Sequence, residues 1–148
     1  MPDVYSREVR SRVMSRIRKR DTSPEIVVRR FLHKVGCRFR LHRQDLPGVP
    51  DIVLAKHRTV IFVHGCFWHQ HKCSLGKVPK SNVGYWRPKL RRNQQRDKEH
   101  VKALRELGWQ VIVIWECQTR SAQRLEQILR ARLGKKAPAL RAQRRSRV

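Results

Sequence analysis

One run of the chain concentrates its unusual side chains: His64-Gly65-Cys66-Phe67-Trp68-His69-Gln70-His71-Lys72-Cys73. Thiolate sulfur and imidazole nitrogen are the ligands that zinc gathers into a tetrahedron. Cys66, His71 and Cys73 offer three of these from one loop, and Cys117 could bring a fourth from a distant segment. Three thiolates and one imidazole leave no position for water, so a zinc held this way would be structural. Ordinary thiols beside a surface histidine are the plain alternative. His64 and His69 are then left over. With Asp51, one of few acids, they could cleave a phosphodiester. A hard divalent cation on the carboxylate would offset charge on the phosphate. A histidine near neutral pKa would take the proton from water. Asp97 could orient a histidine, and Glu25 could hold water beside the cation. Taken one at a time, Asp51 also suits a turn or cap, and Glu25 and Asp97 also suit helix-dipole or surface positions.

The rings in and beside this run need their own account. Phe67-Trp68 and Tyr85-Trp86 bound a basic, polar stretch in which large rings are costly to expose. They could form a small core over the zinc. They could also wedge between base pairs, unstacking a duplex at a weak step.

Charge indicates the partner. Thirty-six Lys and Arg face eleven Asp and Glu, a net charge of +25. Self-repulsion of that size calls for a polyanion, and nucleic acid is the obvious one. On charge alone a ribosomal or chromatin-like binder fits equally well. Anionic membrane fits less well, because no apolar run approaches the roughly 20 residues that span a bilayer. No secretory signal is visible at the N-terminus. The even cysteine count admits disulfides, but Cys66 and Cys73 lie among histidines, which favours metal ligation in a reducing compartment over pairing.

These residues must be held by a core. The 148 residues are enough for one domain, and 39% are hydrophobic. A basic amphipathic helix is predicted over about 6–20, with Val9, Val13 and Ile17 at four-residue spacing. A second helix starts where Ser23 can cap and Pro24 fits the first turn, and it ends at Gly36. Strands are predicted at Cys37–His42, Asp51–Ala55, Thr59–His64 and Trp109–Trp115. The last is near-continuously apolar, which predicts burial on both faces. A polar helix is expected over about 87–107 and a last helix over about 121–133. The segment 65–86 reads as a long functional loop. Residues 1–134 form the expected single domain, followed by a basic, mobile tail at 135–148. The order is that of an α/β domain with a mixed sheet.

Five stretches in this order resemble the very-short-patch repair (Vsr) DNA mismatch endonucleases. They are Met14-Ser15-Arg16-Ile17-Arg18, Asp21-Thr22-Ser23-Pro24-Glu25, Leu46-Pro47-Gly48-Val49-Pro50-Asp51-Ile52-Val53, Val63-His64-Gly65-Cys66-Phe67-Trp68-His69, and Leu107-Gly108-Trp109 with Trp115-Glu116-Cys117. The resemblance implies a restriction-endonuclease-like core and Mg2+-dependent nicking of one strand beside the T of a T:G mismatch, the lesion left when 5-methylcytosine deaminates. It implies that Asp51 binds Mg2+, that His69 is the general base oriented by Asp97, and that His64 and Glu25 support them. Cys66, His71, Cys73 and Cys117 match the zinc set. Phe67, Trp68 and Trp86 match a wedge that enters the duplex, while the N-terminal helix with Met14 and Ile17 embraces the DNA from the other groove. Restriction-type nucleases usually place an acid and a lysine where this chain has Val63 and His64, so a metal ligand at Val63 could only be its backbone carbonyl. The implied setting is a monomer in the bacterial cytoplasm, associated with the nucleoid. It would be linked in function to a cytosine-5 DNA methyltransferase, with mismatch-repair proteins as possible helpers.

Two other classes compete. A non-catalytic, zinc-stabilised DNA-binding module explains the charge, thiols and rings but leaves Asp51, His64 and His69 without a role. A basic RNA-binding protein stacking its rings on single-stranded bases leaves the second cluster unexplained.

Overall fold

The computed structural model describes residues 22–73 and 76–134. The helix expected over 6–20, with Met14 and Ile17, and the tail at 135–148 lie outside the described residues.

The first described helix, α1, spans Ser23–Lys34. Its cap is Thr22, one residue before the expected Ser23. Thr22 is extended, and its hydroxyl accepts the Glu25 N–H at 3.4 Å, satisfying a donor that the first turn leaves unpaired. Pro24 lies in that first turn, where its missing N–H costs nothing. At the other end Gly36 takes φ +80°. Its N–H reaches the His33 carbonyl, and that of Cys37 reaches Leu32, the paired bonds of a left-handed C-terminal cap.

Four strands follow: β1 (Arg40–Leu41), β2 (Ile52–Leu54), β3 (Thr59–His64) and β4 (Gln110–Trp115). They lie side by side in that order. β1–β2 and β2–β3 are antiparallel and β3–β4 is parallel, so the sheet is mixed, as expected. β1 is much shorter than the predicted Cys37–His42. Cys37 is spent on the helix cap and the core, and His42 turns out of the strand at φ +47°. β3 is buried at all six positions, whereas β4 lies at the sheet edge and leaves Val113 partly exposed. The burial expected on both faces of β4 is met only in part: Val111 and Ile112 are buried on opposite faces, but Gln110, Val113 and Trp115 stay partly exposed, and it is β3 that is buried throughout.

The parallel β3–β4 pair needs a crossover, and the long helix α2 (Val83–Glu106) supplies it. It begins four residues earlier than the expected Arg87, because its first turns bury Trp86 and Leu90 on one face. α3 (Ala122–Leu133) closes the chain's described part. Alternate strand residues point to opposite faces. Ile52, Leu54, Ile61, Val63, Ile112 and Ile114 pack with α1 and α3. Val53, Val60, Phe62 and Val111 pack with Leu104 of α2. The sheet is therefore the middle of three layers.

Gly48 fixes the turn that leads to Asp51. Its φ is +75°, and an added Cβ would lie 2.8 Å from the His100 side chain. Gly48→Ala should cost more than about 1 kcal/mol and lower Tm by several degrees in a thermal melt. Gly84→Ala, in the first turn of α2 with nothing within 4 Å, should leave Tm unchanged or raise it, a gain of up to about 1 kcal/mol.

Candidate active site and metal centre

Three clusters of ligating side chains gather at one end of the sheet. Among the described residues these are Cys66-His71-Cys73-Cys117, His64-His69-Asp97 and Glu25-His42-Asp51, with the ligand atoms of each within 4.8 Å of one another.

The first cluster is made by the β3–β4 pairing. His64 and Trp115 are paired at the ends of the two strands. Cys66 and Cys117 each follow by two residues, which brings together sulfurs far apart in sequence. The Cys117 N–H points at the Cys66 sulfur, 3.4 Å away. His71 Nδ1 lies 3.7 Å from Cys66 Sγ and 3.5 Å from Cys117 Sγ. Tetrahedral zinc, with bonds of about 2.0–2.3 Å, places its ligand atoms about 3.5–3.8 Å apart. The donor set therefore fits zinc. Burial pushes the Cys66 thiol up to about 12, with a further push from Cys73 and Cys117. A coordinated cation removes that proton outright. The His71 ring also stacks on Trp115, with centroids 4.3 Å apart.

The other two clusters line a cleft of about 930 Å³. Asp51 stands just before β2, and its Oδ2 accepts the Val63 N–H across the sheet at 2.7 Å. That bond places the Val63 backbone beside the carboxylate. Glu25 reaches the same place from the first turn of α1 and is 2% exposed. Its Oε2 accepts from Arg29 at 3.0 Å and lies 3.2 Å from His42 Nε2. Burial, reinforced by the Glu25 charge and opposed by the Val63 N–H, raises the Asp51 carboxyl to about 7. Two carboxylates this close, in a buried corner, suit a hard cation that the cleft could admit.

Across the cleft, His69 Nδ1 meets Asp97 Oδ2 of α2 at 2.5 Å. A carboxylate holding Nδ1–H leaves Nε2 as the accepting nitrogen. The His64 ring stacks flat on His69, with centroids 3.8 Å apart and planes 5° from parallel. Burial, with a smaller push from His69, lowers His64 to about 4, so it is neutral at physiological pH. The expected pairing of Asp97 with His69 and of Glu25 with Asp51 is thus what the geometry brings together.

The rings divide. Phe67 and Trp68 are half-buried, whereas Trp86 is buried beneath them, with centroids 5.3 and 6.0 Å away. Trp86 is therefore a floor in this form and Phe67 and Trp68 its cover, closer to the small-core expectation than to three exposed wedges. Asn93 Nδ2 donates to the Trp68 carbonyl at 3.2 Å, tying the loop to α2. Tyr85 is 47% exposed, and Lys89 lies over both Tyr85 and Trp68.

Sequence reasoning missed His42, Arg29, Trp115 and Glu116 as members of the site. Trp115 sits between the two histidine sets, edge-on to His64 and stacked on His71. Glu116 Oε1 accepts the Cys66 N–H at 3.3 Å. His42 had a readable signal. A hairpin across the turn-rich 46–50 segment pairs Leu41 with Ile52 and so sets His42 opposite Asp51.

Two outcomes follow. Cys73→Ser should lose zinc and melt at lower temperature, because structural zinc contributes folding free energy; metal analysis with a thermal melt checks both. Asp51→Asn should stabilise the Mg2+-free, zinc-loaded protein. A carboxyl raised in the folded state costs stability as pH climbs from about 4 to about 7, so the gain should be several degrees in Tm at pH 8 and smaller at pH 5.

Known proteins share much of this sequence. The family model described as DNA mismatch endonuclease Vsr matches residues 2–75. Type II nicking enzyme V.XorIIP of Xanthomonas oryzae pv. oryzae is 49% identical over 130 residues, covering 88% of this chain and 96% of that protein. Type II nicking enzyme V.NmeAIP of Neisseria meningitidis is 41% identical over 134 residues, 88% and 96% of the two chains. DNA mismatch endonuclease Vsr of Escherichia coli is 42% identical over 125 residues, 84% and 80% of the two. The chain belongs to the Vsr family of DNA mismatch endonucleases, and its α/β core is the restriction-endonuclease-like fold of that family.

Proposed function

We propose that this endonuclease nicks one strand beside the T of T:G mismatches by Mg2+-dependent hydrolysis, in very short patch repair. The observation that carries the reading is one cleft in which the buried Glu25 and the partly buried Asp51 lie with the Asp97–His69 pair. Asp51 and the Val63 backbone carbonyl would hold Mg2+, which offsets charge on the scissile phosphate. Asp97 keeps the proton on His69 Nδ1, so Nε2 can take the proton from water as its oxygen bonds to phosphorus and the ester P–O bond breaks. His64, neutral and stacked on His69, holds that ring in plane without adding a competing charge. Glu25 orients water in the same corner. Zinc on Cys66, His71, Cys73 and Cys117 fixes the loop that carries His69.

Mismatch selection belongs to the same loop. Trp68 lines the cleft, Phe67 packs edge-on against it, and Trp86 backs both. A T:G wobble costs less to unstack than a paired step, so rings pressed against the duplex would enter there first. The +25 charge supplies affinity for the backbone without sequence information. Met14 and Ile17 would close on the DNA from the other groove. The protein would act as a monomer beside a cytosine-5 methyltransferase whose product creates the lesion. No helix among the described residues is long and apolar enough to cross a membrane, in keeping with work on DNA in the bacterial cytoplasm.

A single-turnover nicking assay tests this. Zinc-loaded protein should cut the T strand of a T:G duplex only with Mg2+ and leave the T:A duplex intact. Asp51→Ala should abolish cutting by at least about 10³-fold while retaining binding in a mobility-shift assay, and retained cutting would refute the assignment. Trp68→Ala should reduce the preference for mismatched over paired duplex more than overall affinity; equal losses on both would leave Trp68 as packing alone.

A further inference from the structure

The corner around Asp51 contains a nitrogen donor for which the proposed Mg2+ site has no use. His42 Nε2 lies 3.2 Å from Glu25 Oε2 and 3.9 Å from Asp51 Oδ1. We propose that His42 Nε2 is a ligand of the divalent cation at Asp51, so that this chain has a mixed nitrogen–oxygen site that binds Mn2+ in preference to Mg2+. The inference rests on the reading that a cation binds at Asp51.

Three observations carry it. The first is spacing. An ion with bonds of about 2.1 Å has neighbouring ligands about 3 Å apart, and the three donor atoms here lie within 4.8 Å of one another. Small side-chain rotations would bring them onto one ion. The second is the backbone. His42 adopts φ +47°, a left-handed conformation that few residues with a Cβ enter. Its N–H is held to the Asp51 carbonyl at 3.3 Å. The two residues before it in β1, Arg40 and Leu41, are exposed. The left-handed turn carries the imidazole into the cleft, where only 11% of the side chain is exposed. Strained residues of this kind concentrate where a site requires them. The third is charge. Among the described residues the corner brings together the carboxylates of Glu25 and Asp51 with Arg29 on Glu25 Oε2, and an imidazole donor adds a ligand to a cation there without adding anionic charge.

Ligand type then sets selectivity. Carboxylate, carbonyl and water suit Mg2+ and Mn2+ alike, whereas imidazole favours the later divalent ions and is a poor partner for Mg2+. With His42 bound, Mn2+ should support the nick at lower concentration than Mg2+.

The test uses zinc-loaded protein and Mn2+ alone. Pulsed electron paramagnetic resonance reads directly whether a ¹⁴N nucleus is bonded to Mn2+, independent of activity. Wild-type protein should show one directly coupled imidazole nitrogen, and His42→Asn should lose it. Asparagine is chosen because it tolerates the left-handed backbone; His42→Gln is the second variant should the first fail to fold. The affinity ratio of Mn2+ over Mg2+, from calorimetric titration, should fall by roughly tenfold or more, the loss that even an outer partner of a metal site produces. If Asp51→Asn removes Mn2+ binding but the wild-type spectrum has no directly bonded nitrogen, or keeps it in both His42 variants, the His42 inference is overturned and the Asp51 site stands. If Asp51→Asn leaves Mn2+ binding unchanged, the Asp51 reading itself fails and the inference with it.

Discussion

The parallel pairing of β3 with β4 is the constraint on which the rest depends. Register sets His64 beside Trp115, and two residues further along each chain Cys66 and Cys117 converge. That convergence lets a metal clamp the loop after β3 to the end of β4. A loop clamped at Cys66, His71 and Cys73 has little freedom left for the residues between them. Phe67, Trp68 and His69 lie within that span, and Trp68 and His69 both line the cleft. Trp115 packs between the rings of His71 and the buried His64. Displacing either strand by one residue would turn the cysteines to opposite faces of the sheet and dissolve the arrangement.

Electrostatics explains why so few acids suffice. Eleven carboxylates serve a chain with thirty-six cationic side chains, and four of them, Glu25, Asp51, Asp97 and Glu116, line one cleft. Glu25 and Asp51 share one corner, and burial, reinforced by the Glu25 charge, raises the Asp51 carboxyl to about 7. That is a cost to the folded state which a bound cation would relieve. Asp97 is spent differently. It sits on α2 with Oδ2 at hydrogen-bond distance from His69 Nδ1. Glu116 steadies the Cys66 amide and so the metal loop. Each acid thus acts on a neighbour's charge or orientation, while the exposed cations are left to meet the DNA backbone.

Much of this was legible in the residues. The metal-type ligand set could be read because thiols and imidazoles at loop spacing have few other uses. Helix ends could be read from Ser23–Pro24, one residue past the true cap Thr22, and from Gly36, which act through local backbone geometry. What sequence could not give was the register of β1. Hydrophobic alternation extended that strand to Cys37–His42, whereas the chain leaves it after Leu41 through a left-handed residue. The same turn carries His42 into the cleft, so the missed strand end and the missed site residue are one event. Trp86 was misplaced for a related reason. Pattern alone assigned 65–86 to a loop, and only packing under Phe67 and Trp68 reveals that Trp86 belongs to the first turns of α2.

The central claim is that one metal-clamped loop both presents the base and tests the duplex. The most direct measurement follows single-turnover nicking of a T:G duplex while zinc is withdrawn stepwise by a thiol-competitive chelator, with Mg2+ held saturating. The nicking rate should fall in proportion to the zinc lost, resist added Mg2+, and return when Zn2+ is restored. A full nicking rate in protein from which zinc has gone would contradict the account.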